Sequence, residues 1–143
     1  MSLNSGKRWL TFDCYDTLVR YTESKFAAMT DLISAKGGTK DLVESVWSVF
    51  QSSERRLQTE DFLPLNQVLK TSLKFALNKI GLDPTSSDED KMLSAVKDAD
   101  PFPEVNQVLS ELKQDYQIAI LSNSEPDIIT VSYTHLRAHE TDT

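Results

Sequence analysis

The chain carries a single cysteine, Cys14, in 143 residues, so no intrachain disulfide can form and a reducing, cytoplasmic setting is expected. Its position favours small buried packing over redox chemistry. Basic side chains are in deficit. Fifteen Lys and Arg against 22 Asp and Glu give a net charge of −7, which argues against nucleic acid or an anionic membrane as a partner. No apolar run approaches the ~20 residues of a membrane-spanning helix. The start, Met1 to Gly6, lacks the apolar centre of a signal peptide. Neither an internal repeat nor a low-complexity tract occurs. What is present is 39% hydrophobic content, enough for a core at single-domain length.

Both histidines, His135 and His139, lie in the last thirteen residues at spacing i, i+4. Two His one helical turn apart can share a zinc ion, but no third ligand accompanies them, so no metal site is expected. Val131 to Thr141 instead resembles the in-frame translation of a synthetic sequencing adapter, over eleven consecutive residues. Residues 130–143 are therefore expected to be an artefact and carry no weight in the fold argument. On that reading the natural protein continued beyond Ile129, and the 143 residues are a fragment. With only two strands of a parallel sheet, such a fragment leaves sheet edges uncovered and is expected to be inactive alone.

Periodicity orders the rest. Trp9 to Phe12 is a short apolar run that leads into Asp13, predicting a buried strand. The pattern then turns helical. Thr22 is the expected N-cap of a helix whose apolar side is Phe26, Met29 and Ile33, stopped by Gly37-Gly38. Leu42, Val43, Val46, Trp47 and Phe50 mark a second helix. Leu65, Val68, Leu69, Leu73, Ala76, Leu77 and Ile80 mark a third that ends at Gly81. Ser86-Ser87-Asp88-Glu89 is the expected cap of a fourth, with Met92, Leu93 and Val96 inward. After the Asp-Pro-Phe-Pro boundary, Pro103 suits the first turn of a fifth helix, with Val105, Val108, Leu109 and Leu112 as its buried face. Gln117 to Leu121 is a compact apolar strand. Helix followed by apolar strand indicates a parallel α/β unit.

Two strand ends carry polar groups: Asp13 with Thr17 after the first, Ser122-Asn123 after the second. Open α/β sheets bind ligands at the carboxyl ends of their strands, so these groups are expected to converge on one crevice. A carboxylate with a hydroxyl in the next turn suits an Asp nucleophile acting on a small anionic substrate. The plainer alternative for each end is an ordinary turn, since Asp, Ser and Asn all start turns.

The segment Phe12-Asp13-Cys14-Tyr15-Asp16-Thr17-Leu18, together with Ile120-Leu121-Ser122-Asn123, resembles the first two motifs of the haloacid dehalogenase superfamily. The resemblance covers residues 7 to about 129. It implies a truncated Rossmann-like α/β core, residues 1–19 and 100–129, with an inserted helical cap at 20–99. It also implies that Asp13 is the nucleophile, supported by Thr17, and that Tyr15, Ser122 and Asn123 bind substrate. Typical phosphatases of the superfamily have an acid two residues after the nucleophile. Tyr15 at that position resembles the L-2-haloacid dehalogenase branch, Asp-x-Tyr-Gly-Thr. Displacing halide from an sp³ carbon needs no proton at the leaving group, so a second carboxylate is unnecessary.

The chain departs from that pattern in three places. Asp16 stands where the family has glycine, and Asp tolerates positive φ better than most residues. Ser48 follows Val46-Trp47 where the dehalogenases have a substrate-binding arginine; Arg55 and Arg56 are nearby but expected to be exposed helix residues. The lysine and acidic residues of the later motifs do not occur before the chain ends. The expected function is hydrolytic dehalogenation of a small 2-haloacid without a cofactor. The alternatives are a phosphatase using Mg²⁺, or a non-catalytic binding protein on the same fold. A homodimer is compatible with this reading.

Overall fold

A computed structural model describes residues 6–60 and 63–121. Its elements run β1 (Arg8–Asp13), α1 (Tyr21–Ala35), α2 (Lys40–Glu60), α3 (Leu65–Asn78), α4 (Ser86–Lys97), α5 (Val105–Leu112) and β2 (Tyr116–Leu121). The order strand, four helices, helix, strand is the one the periodicity predicts. β1 and β2 pair in parallel, with Leu10 opposite Ile118, Phe12 opposite Ile120 and Asp13 opposite Leu121. The described residues form an α/β core with a helical insertion.

Two units are separable by their contacts: Met1–Thr22 with Asp98–Thr143, and Glu23–Lys97. In the first, Cys14, Leu18, Val19, Ala99, Val105 and Leu109 form the buried cluster, with Phe12, Ile118 and Ile120 against it. β1 departs from the fully buried strand expected of it. Leu10 and Phe12 point inward while Trp9, Thr11 and Asp13 point out, and Trp9 is 50% exposed. Among the described residues the sheet has two strands, so alternation puts every second side chain outside this cluster. Val108 is exposed rather than part of the buried face of α5, which rests on Val105 and Leu109. Pro103 lies in the turn two residues ahead of α5 rather than in its first turn, where Val105 donates to the Phe102 carbonyl.

The second unit is helical. Its buried side chains include Met29, Leu32 and Ile33 on α1, Val46 and Phe50 on α2, Leu69, Leu73 and Leu77 on α3, and Met92 and Val96 on α4. Each helix has a stop or start that the chain encodes locally. Gly37 and Gly81 both have φ near +80°. At each, the following residue donates back five positions, Gly38 to Ile33 and Leu82 to Leu77. These are Schellman endings, which glycine enters without a Cβ penalty. The cap of α4 is Thr85, one residue before the stretch expected to supply it. Its Oγ1 accepts from the Asp88 amide at 3.1 Å, and Asp88 Oδ2 accepts from the Thr85 amide at 2.9 Å. That is a reciprocal capping box with Asp at the third position.

Burial pushes the Asp88 carboxyl up, but the Thr85 amide, the charge and hydrogen bond of Lys36 at 3.1 Å, and the Thr85 hydroxyl outweigh it. The net result lies below the ordinary carboxylate value. Lys25 and Glu54 are buried as well. Lys25 Nζ lies 2.6 Å from both carboxylate oxygens of Glu54 and 5.7 Å from the centre of the Phe50 ring. Lys25 is 2% exposed and Glu54 7%. No described helix is long and apolar enough to cross a membrane.

Candidate active site

Parallel pairing carries β1 as far as Asp13, opposite Leu121, so the carboxylate stands at the C-terminal edge of the strand pair and is exposed. The chain then winds into a tight turn. The Cys14 carbonyl accepts from the amides of Thr17, Leu18 and Val19 at 3.3, 2.8 and 3.1 Å, and the Asp16 amide donates to the Val19 carbonyl at 2.9 Å. This winding returns Thr17 over Asp13, where its Oγ1 donates to Asp13 Oδ2 at 3.4 Å. The bond is long for O–H···O. Cys14 anchors the turn from below. It is fully buried, and burial, with a smaller effect of the Asp13 charge, pushes its thiol up to about 11. Cys14 is therefore a packing residue, as its sequence context indicates.

Asp16 has φ 62°, the sole non-glycine residue at positive φ among the described residues. The turn accommodates Asp where the family has glycine. Its carboxylate does not face Asp13. Oδ1 accepts from the Thr22 amide at 2.7 Å, and Oδ2 accepts from the Thr22 hydroxyl. Thr22, expected as the N-cap of α1, is thus inside the first helical turn, and Asp16 supplies the cap from six residues upstream. A carboxylate at that end also meets the positive pole of the helix dipole.

Tyr15 is half-buried. Its ring lies 4.8 Å from the Tyr21 ring, tilted by 35°. Asp13, Tyr15 and Thr17 are therefore gathered in one turn. Ser122 and Asn123, the other expected site residues, lie outside the described residues, as do His135, His139 and the adapter-like stretch. In the helical unit Arg55 and Arg56 are exposed, and Arg56 stacks at 5.4 Å on Phe75. Sequence reasoning missed the Asp16–Thr22 clamp and the Lys25–Glu54 pair. An Asp ahead of a helix start was a signal for the first. A lysine on the Met29 face of α1 was a weaker signal for the second.

As to a metal, Asp16 is occupied by Thr22, and no group of three or more His, Cys, Asp or Glu side chains is gathered among the described residues.

Comparison with known proteins agrees with this architecture. Residues 7–139 match the haloacid dehalogenase-like hydrolases, and the chain belongs to that family. The matched range extends into the adapter-like stretch. No curated protein sequence matches the chain significantly. Among solved structures, the L-2-haloacid dehalogenase from Xanthobacter autotrophicus is similar, with 24% identity and TM-score 0.71. The match covers 92% of this chain and 52% of that one. The same enzyme with chloropropionic acid covalently bound matches at 23% identity and TM-score 0.70, covering 95% and 54%. The HAD-hydrolase YfnB from Bacillus subtilis, bound to magnesium, matches at 19% and TM-score 0.70, covering 93% and 60%. At these identities the likeness is one of fold, and the chain spans between half and three fifths of the length of these structures.

Proposed function

We propose that the protein carries out hydrolytic dehalogenation of a small 2-haloacid through an ester on Asp13. The observation that carries this reading is the composition of the nucleophile turn. Tyr15 occupies the position two residues on, and the next carboxylate, Asp16, is engaged by Thr22 rather than available as a proton donor. A phosphate ester's leaving alkoxide needs such a donor; a halide does not. Thr17 holds Asp13 Oδ2 and leaves Oδ1 for attack. Oδ1 displaces the halogen at C2, and the halide departs with the bonding pair. Water then adds to the ester carbonyl, the acyl–oxygen bond breaks, and a 2-hydroxy acid, a proton and the Asp13 carboxylate result. The family holds both dehalogenases without a cofactor and Mg²⁺-dependent phosphatases, and this reading takes the first. Ser122 and Asn123 belong to the proposal as substrate-carboxylate ligands, on the strength of their place directly after Leu121.

The test uses the 143-residue chain and, in parallel, the full reading frame it comes from. Each is given 2-chloropropionate in ¹⁸O-water, and chloride release is followed. The expected result, from the full reading frame, is chloride release that Asp13→Asn abolishes, with heavy oxygen appearing in the Asp13 peptide after one turnover, and no release from the 143 residues alone. Turnover of p-nitrophenyl phosphate that EDTA stops, without chloride release, would establish the phosphatase instead. Activity on neither substrate class from the full frame would leave a binding protein.

A further inference from the structure

We infer that Asp16 is a positioning residue for the Asp13 nucleophile, acting through Thr17 while its own carboxylate is held by Thr22. The inference rests on the nucleophilic reading of Asp13 above.

Glycine would satisfy the φ of 62° more readily than Asp, so the backbone alone gives no reason for a carboxylate here. What a glycine cannot supply is the link to α1. The Thr22 amide is one of the first-turn donors that a helix leaves without an intrahelical acceptor, and Asp16 Oδ1 takes it at 2.7 Å. Oδ2 takes the Thr22 hydroxyl. On its backbone side the Asp16 amide is held by the Val19 carbonyl at 2.9 Å. Residue 16 is therefore fixed at its amide and at both side-chain oxygens. Thr17 follows it directly, and the Thr17 hydroxyl is the group that reaches Asp13 Oδ2. At 3.4 Å that contact is near the limit for a hydrogen bond, so a small rotation of the turn would break it. The clamp also directs the Asp16 charge at the helix N-terminus, which separates it from the approach of an anionic substrate to Asp13.

The experiment compares Asp16→Gly, Asp16→Asn and Thr22→Val in the full chain. It uses amide exchange at Thr22, the carboxyl ¹³C resonance of Asp13, and the kinetics of halide release. Asp16→Gly should speed Thr22 exchange about fivefold, the ratio for loss of a typical N-cap. It should also move the Asp13 resonance and lower kcat at unchanged KM. Asp16→Asn keeps an acceptor for the Thr22 amide and tolerates positive φ, and should recover most of each readout. If Asp16→Gly frees the Thr22 amide while the Asp13 resonance stays as in wild type, Asp16 is only a helix cap and the inference falls. Should wild type release no halide, the dehalogenase reading fails, and the Asp13 resonance still decides the positioning. Should Asp16→Gly fail to fold, Thr22→Val takes its place. It removes only the hydroxyl donor, and an unmoved Asp13 resonance there overturns the inference equally.

Discussion

Replacing Glu54 with Gln removes one charge from a buried pair while keeping the side chain's size. Lys25 is 2% exposed and its Nζ lies 2.6 Å from both Glu54 oxygens, so solvent does little to screen the interaction. An exposed pair of this kind contributes about 0–1 kcal/mol, whereas breaking a buried one costs about 3–5 kcal/mol. Gln retains one carbonyl acceptor, which places the expected loss near the lower end, about 3 kcal/mol. With a urea slope of roughly 1–1.5 kcal/mol per molar for a unit of this size, the midpoint should fall by about 2–3 M. Helical ellipticity in the full chain reads this directly, because the pair joins α1 to α2 within the helical unit. The partner experiment is Lys25→Met with Glu54→Leu, which removes both charges and should return to within about 1 kcal/mol of wild type. A Glu54→Gln midpoint indistinguishable from wild type would refute the burial argument. A double variant as weak as the single one would assign the loss to packing instead of charge.

Other perturbations follow from the same geometry. Because the Asp88 carboxyl is held below its unfolded value of 3.8, its stabilisation is present above that value and lost as pH falls through the lower folded value. Asp88→Asn should therefore flatten the acid limb of a stability-against-pH profile, and an unchanged limb would contradict the assignment. Gly38→Ala places a Cβ 2.3 Å from Ile33 Cγ2 and 3.0 Å from the Ile33 carbonyl oxygen, and should cost about 1–3 kcal/mol in thermal or urea unfolding. Cys14, buried and with its thiol raised to about 11, should resist iodoacetamide at mildly alkaline pH and react only on addition of denaturant. Labelling of the native chain at the rate of a model thiol would show that the turn from Asp13 to Thr17 opens.

The order of elements was legible because helix and strand periods are local. Leu65 to Ile80 repeats at helical spacing whatever surrounds it, and Gln117 to Leu121 is too short and apolar to be much besides a strand. Errors fell where the outcome depends on a partner. Thr22 and the Ser86 stretch both have the composition of an N-cap. The caps actually come from Asp16 and Thr85, because capping is decided by which oxygen reaches the first amides. Val108 lies at the right spacing for the face of α5, yet this short helix buries only Val105 and Leu109.

For the candidate site, the sequence by itself determined that a carboxylate ends the first strand with a hydroxyl four residues on, since strand length and turn composition are encoded within a dozen residues. Tertiary structure decided what the second acid of that turn does. Asp13 and Asp16 are indistinguishable as charges in a string of letters, but the left-handed backbone at Asp16 turns its carboxylate onto Thr22, while Asp13 at the strand end meets the Thr17 hydroxyl. Likewise Lys25 and Glu54, 29 residues apart, are ordinary helix charges until α1 and α2 pack and exclude water from both. Hydrogen-bond direction and desolvation depend on the arrangement of the chain in space, and no local pattern records them.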